Sequence, residues 1–119
     1  MRAPPSVFFA AAVALGATSC ARDTGTIVIG LAGPLQDPLG VSEQRAARFV
    51  VDQINQHGGV RGGRQLRLRI VDDSSTENGA VLAAKALYDD PAVVAVVGHI
   101  TSGTSIAVCM NVEARNRNI

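Results

Sequence analysis

The fold turns on Ala92-Val93-Val94-Ala95-Val96-Val97-Gly98-His99-Ile100-Thr101-Ser102-Gly103-Thr104-Ser105. Six apolar residues in a row, four of them valine, suit a strand in a parallel sheet. Gly98 to Gly103 reads as a tight loop, and Thr104 to about Asn116 as a helix. Working back, Asp90-Pro91 ends the preceding helix, which opens with Thr76 as N-cap and Glu77 in the first turn. Before it, Leu66, Leu68 and Ile70 alternate with Arg67 and Arg69, the pattern of a strand with one wet face. Asp72-Asp73-Ser74-Ser75 ends that strand. Gly58-Gly59 stops a helix running from Val41 to His57, on which Ala46, Ala47, Phe49, Val50 and Ile54 share a face. Thr26 to Leu31 is a first buried strand, followed by a turn-rich segment from Ala32 to Gly40. The order is β-α-β-α-β-α with short connections, which implies an α/β, Rossmann-like parallel sheet with right-handed crossovers. The chain stops at Ile119, where a fourth strand is expected to start.

The 119 residues carry 11 basic and 10 acidic side chains, a formal charge of +1. That balance supplies no basic face for nucleic acid. Phe8, Phe9, Phe49 and Tyr88 are the only aromatics, too few for base stacking or an aromatic cage.

At the N-terminus, Arg2 precedes an apolar run from Val7 to Gly16 that is too short to span a bilayer, and it reads as an export signal. Gly16-Ala17-Thr18-Ser19-Cys20 resembles a bacterial lipobox, in which Cys20 is acylated and opens the mature chain. An ordinary signal cleaved after Ser19 or Gly16 is the alternative. The expected division is therefore a lipoprotein signal over 1–19, a tether over 20–25 and a folded segment over 26–119. Lipidation would leave Cys109 as a lone thiol within Ile106 to Met110, expected as a buried small hydrophobe. A Cys20–Cys109 disulfide is incompatible with it.

Catalytic chemistry finds no candidate. Gly58 to Gly63 follows a helix and lacks a Gly-Lys-Ser/Thr ending, so it is a helix stop rather than a phosphate loop. Asp72-Asp73 at a strand end could bind a divalent metal, but no acceptor acid follows the third strand. A solvated loop and helix lead-in is the preferred reading. His57, His99, Cys20 and Cys109 lack metal-ligand spacing. Ile100 and Thr104 stand where a nucleophile elbow around Ser102 needs glycines, which argues against a hydrolase. The segment from Gly98 to Ser105 remains. Its backbone N–H groups at a helix start, its glycines and its hydroxyls suit a carboxylate, and plain capping by Thr and Ser without a ligand is the alternative.

Gly33-Pro34, Gly40, Val51-Asp52-Gln53-Ile54-Asn55, Gly58-Gly59-Val60-Arg61-Gly62, Asp72-Asp73 and Gly98-His99-Ile100-Thr101-Ser102, in this order and spacing, resemble the leucine/isoleucine/valine-binding protein family. These are substrate-binding proteins of branched-chain amino-acid ABC transporters, and the similarity runs over about 26–119. The resemblance implies a type I periplasmic binding fold of two Rossmann-like lobes, with this chain matching half of the N-terminal lobe. It implies that Ser102 holds a ligand α-carboxylate, flanked by Thr101 and Gly103. The loop from Gly33 to Gly40 lines the side-chain pocket, with Leu39 where leucine-binding members carry a large aromatic. Ser75 and Thr101 occupy the places of a disulfide that some members form.

The implied function is capture of an amino acid or related small carboxylate or amide outside the cytoplasmic membrane, with no cofactor and no metal. The implied partners are ABC permease subunits and, through Cys20, the membrane. The alternatives are a ligand-sensing ectodomain of a membrane receptor and a truncated product that binds nothing.

Overall fold

The computed structural model describes residues 25–116, with side chains as far as residue 113; the proposed signal and Cys20 lie outside the described residues. The order is β1 (Ile27–Gly33), α1 (Pro38–Gln56), β2 (Leu66–Asp72), α2 (Glu77–Tyr88), β3 (Val93–Val97) and α3 (Ser102–Asn116). The strands form one sheet in the order β2-β1-β3, both pairings parallel. Ile27 is in register with Leu66 and Gly33 with Asp72, while β3 shifts register between Val28 and Ile29 of β1. The α/β, parallel reading of the sequence holds for these elements.

The chain steps from β1 to β2 in one direction and from β2 across β1 to β3 in the other. Crossovers of one hand then lay α1 and α2 on opposite faces. Side-chain alternation along β1 serves both: Ile29 and Leu31 face α1, whereas Ala32 packs with Ala83 and Leu87 of α2. Val71, Val93 and Val96 close that core. About 60° around α2 from Ala83 and Leu87, Ala80 and Ala84 meet Val108 and Val112 of α3. The layers are therefore α1, sheet, α2 and α3.

Several boundaries and faces depart from expectation for identifiable reasons. Helix α1 starts at Pro38, three residues earlier than expected, because Asp37 caps it by accepting the Leu39 N–H at 2.8 Å and proline occupies the first turn. Gly40 is thereby helical and buried, and a Cβ there would strike the Pro34 carbonyl. Phe49 and Val50 are exposed, since half-buried Ala47, Val51 and Ile54 carry the inner stripe at i, i+4 and i+7. Among the described residues β3 is paired on one side only, and Val94 and Val97 are exposed there. Cys109 is also exposed, contrary to the buried reading: α3 seats Thr104 and Val108 inward, and the next residue is rotated about 100° away. His57 caps the end of α1, and Gly58 and Gly59 follow with φ of 97° and 76°, which is the glycine stop the sequence predicts.

Candidate functional site

All three strands end at one edge of the sheet, and there the connections after β1 and β3 diverge to opposite faces. In open parallel sheets that divergence leaves a crevice outside the strand ends, the usual ligand position. On one side of it stand Pro34 to Asp37 and the first turn of α1; on the other stand Gly98 to Thr101 and the first turn of α3.

The β3–α3 connection is pinned from within. Gly98 adopts φ of 130°, and a Cβ on it would collide with the Ala32 carbonyl, so only glycine lets β3 turn this close to β1. Thr104 is buried; its Oγ1 donates to the Thr101 carbonyl at 2.9 Å and lies 2.7 Å from Thr101 Oγ1. Ser105 Oγ donates to the His99 carbonyl at 2.9 Å, and the Ser105 N–H to the Thr101 carbonyl at 3.0 Å. These bonds engage Thr101, Thr104 and Ser105 internally. Ser102 and Gly103 stand exposed as the first two residues of the 15-residue helix α3. Backbone N–H groups in such a first turn, together with the helix dipole, favour a negatively charged group.

Across the edge, Leu39 is exposed in the first turn of α1. Asp72 Oδ1 accepts the N–H groups of Leu35 and Ser74, each at 3.0 Å, and these bonds hold its pKa below the ordinary carboxylate range. A groove of about 330 Å³ between the two loops is lined by Pro34, Gln36, Asp37, Asp72, Ser74 and Ser75. The Ser102 loop and Leu39 therefore share the edge of the sheet, on its two diverging connections.

Asp73 corrects the reading of the acidic pair. Asp73 is not solvated; at 1% exposure it is among the most buried side chains described. Its Oδ1 accepts the Ser75 N–H at 3.0 Å and its Oδ2 lies 2.8 Å from His99 Nδ1, an imidazole that is itself 4% exposed. This pair joins the ends of β2 and β3 over the end of β1 between them. From α1, Glu43 reaches the same place: its carboxylate lies against Gly33, where a Cβ would displace it. Glu43 has its pKa raised, first by burial and then by the Asp73 charge, with His99 opposing. Asp73 and His99 stand just past β2 and β3, and their meeting depends on the strand order that places β1 between those two.

Among the described residues no group of three or more His, Cys, Asp and Glu is disposed to hold a metal, and no helix is long and apolar enough to cross a membrane.

Comparison with known proteins bears on what the edge is for. Residues 9–119 match the family model described as periplasmic binding protein. A leucine-, isoleucine-, valine-, threonine- and alanine-binding protein of Pseudomonas aeruginosa is 37% identical over 103 residues, which are 84% of this chain and 27% of that protein. A Leu/Ile/Val-binding protein of Rhizobium johnstonii is 36% identical over 85 residues, 69% of this chain and 23% of that one. Among solved structures, the branched-chain amino-acid transporter substrate-binding protein LivJ of Streptococcus pneumoniae, in complex with isoleucine, superposes with a TM-score of 0.66 at 34% identity. That match covers 75% of this chain and 26% of LivJ. A type 1 periplasmic binding protein of Bordetella pertussis gives 0.68 at 31% identity, covering 75% and 25%. The chain spans about a quarter of the length of these relatives. The family is one of binding proteins rather than enzymes, and its members work outside the cytoplasm. This chain belongs to the periplasmic binding protein family, and members named for branched-chain amino acids are among its relatives.

Proposed function

We propose that the chain supplies part of the carboxylate-binding wall of an amino-acid-binding protein serving an ABC importer. The observation that carries this reading is the exposed Ser102 at the start of α3, on the sheet edge where the β1 and β3 connections diverge. In this reading the Ser102 hydroxyl and the N–H groups of Ser102 and Gly103 hold the ligand α-carboxylate. Thr101 shapes the turn, and Leu39 contacts the ligand side chain. Relatives are about three times as long, so contacts to the ammonium group and the second lobe are assigned to regions this chain does not span. Closure of two lobes around the ligand, and delivery to permease subunits, follow as the proposed mechanism.

The N-terminal reading is part of the same proposal: residues 1–19 form a lipoprotein signal, 20–25 a tether, and Cys20 carries the lipid that holds the protein at the outer face of the membrane. Residues 26–119 form part of the N-terminal lobe.

Calorimetric titration with L-isoleucine tests the site. Saturable binding that Ser102→Ala weakens by about 10- to 100-fold is expected, the value of one hydrogen bond to a charged group. No saturable binding of isoleucine, leucine or valine by the unaltered chain would sink the proposal.

A further inference from the structure

Helices α2 and α3 follow parallel strands that end at one edge of the sheet, so both helices begin at that edge. They pack together through Ala80 and Ala84 against Val108 and Val112, which sets their first turns side by side. Thr76 caps α2 by accepting the Gly79 N–H, and Glu77, the first residue of that helix, reaches across to α3. Its Oε1 lies 4.0 Å from the point that a Cβ on Gly103 would occupy.

No basic side chain of the same edge offsets that charge. The three connections that meet there, Ala32 to Gln44, Val71 to Ala84 and Gly98 to Ala114, contain no lysine or arginine. Asp37 and Asp72 stand exposed on the edge, and the buried His99 is engaged by Asp73. The first turn of α3 thus offers its N–H groups to a carboxylate within an acidic surround. A bare carboxylate meets those donors and an opposing charge together, whereas a zwitterion brings a positive charge to set against the acids.

We propose that Glu77 is a specificity-determining residue of this site: its carboxylate beside Gly103 disfavours simple carboxylates and dicarboxylates and admits a carboxylate that carries its own ammonium group. The proposal deepens the carboxylate-binding reading of Ser102 and Gly103, and rests on it. Glu77 acts through space and needs no contact with the ligand. It is exposed, so its influence is that of a surface charge, modest in size and screened by salt.

Amide NMR titrations of the 119-residue chain at low salt, followed at Ser102 and Gly103, test this with L-valine and with isovalerate, which is valine without its ammonium group. The parent should bind valine more tightly than isovalerate. In Glu77→Gln, which keeps the shape of the side chain, isovalerate should tighten by about 3- to 10-fold and valine should change by less than about 2-fold. Glu77→Asp keeps the charge and should keep the parent ranking. Near 1 M salt, where the Debye length is about 3 Å, the gain in Glu77→Gln should shrink. An unchanged isovalerate affinity in Glu77→Gln overturns the proposal, and valine binding in the same samples then leaves Ser102 standing. Equal weakening of both ligands, the mark of a structural role, or a gain that ignores salt also overturns it. In the parent alone the preference for valine should narrow as salt rises, so misfolding of a variant does not leave the question open; a preference that holds or widens overturns the proposal. Absent valine binding, with isovalerate shifting Ser102 and Gly103 only in Glu77→Gln, removes the amino-acid reading and leaves the charge filter. Silence of these amides toward both ligands in both chains ends both.

Discussion

Asp72 Oδ1 lies 3.0 Å from the Leu35 N–H, across a sequence separation of 37 residues. The bond ties the loop that leaves β1 to the end of β2, and the Ser74 N–H shares the same oxygen. Two connections that bound the groove at the sheet edge are thereby clasped by one carboxylate.

That clasp should be sensitive to acid. Hydrogen bonding holds the Asp72 pKa below its ordinary value of 3.8, so the folded state favours the ionised form. The resulting stabilisation is complete above the unfolded-state value and is lost as pH falls through the lower folded-state value. The Leu35 and Ser74 amide signals should therefore show a common inflection below 3.8. Asp72→Ala should erase it and speed exchange of the Leu35 amide, with the sheet unchanged. An inflection at or above 3.8, or an unchanged exchange rate, would contradict the clasp.

Leu87 is fully buried from α2 against Ala32, Ala83 and Val96, and its methyl groups fill the space above Gly30. Leu87→Ala opens a cavity that small neighbours cannot refill, at a cost of about 2–5 kcal/mol. Leu82, on the same helix, is 58% exposed, and its replacement by alanine should change stability by less than about 0.5 kcal/mol. Urea midpoints of the two variants check the contrast; equal midpoints would mean that α2 does not pack on the sheet through this face.

The element order was legible in the sequence because three short apolar runs alternate with glycine-stopped and threonine-capped helical segments. The Gly58-Gly59 stop and the Thr76 cap were read at the residues where they occur; Thr76 Oγ1 accepts the Gly79 N–H at 3.0 Å. The start of α1 was legible too, in Asp37-Pro38, but Pro38 reads as turn punctuation alongside Gly33, Pro34 and Gly40. Two of these serve close packing instead, Gly40 against the Pro34 carbonyl and Gly33 against Glu43. Faces were harder than elements. Val94 and Val97 look like core residues, and they stand exposed where β3, among the described strands, is paired on one side only. The Asp73–His99 pair was out of reach for the same reason: it joins residues 26 apart that meet only once β1 lies between β2 and β3. The segment from Gly98 to Ser105, by contrast, stood out by local chemistry, since a helix start after a strand exposes its N–H groups wherever the rest of the sheet goes; Ser102 within it was pointed to by the family resemblance.

Thr104 tests how that helix start is held. It is 2% exposed, with its hydroxyl hydrogen-bonded to the Thr101 carbonyl and in reach of the Thr101 hydroxyl. Valine has the same shape and keeps the packing, but it removes the donor, leaving the Thr101 carbonyl to the Ser105 N–H alone and the Thr101 hydroxyl without the Thr104 hydroxyl. A cost of about 1–3 kcal/mol follows from that imbalance. The damage should be local: amide exchange should quicken at Thr101 to Ser105 and stay unaltered in β1 and β2. Thr104→Ser retains the hydroxyl, loses a methyl group, and should keep the slow exchange of the loop. If Thr104→Val instead protects the loop as well as threonine does, the threonine pair does not set the pose of Ser102, and the ordering must come from His99 and Ser105 alone.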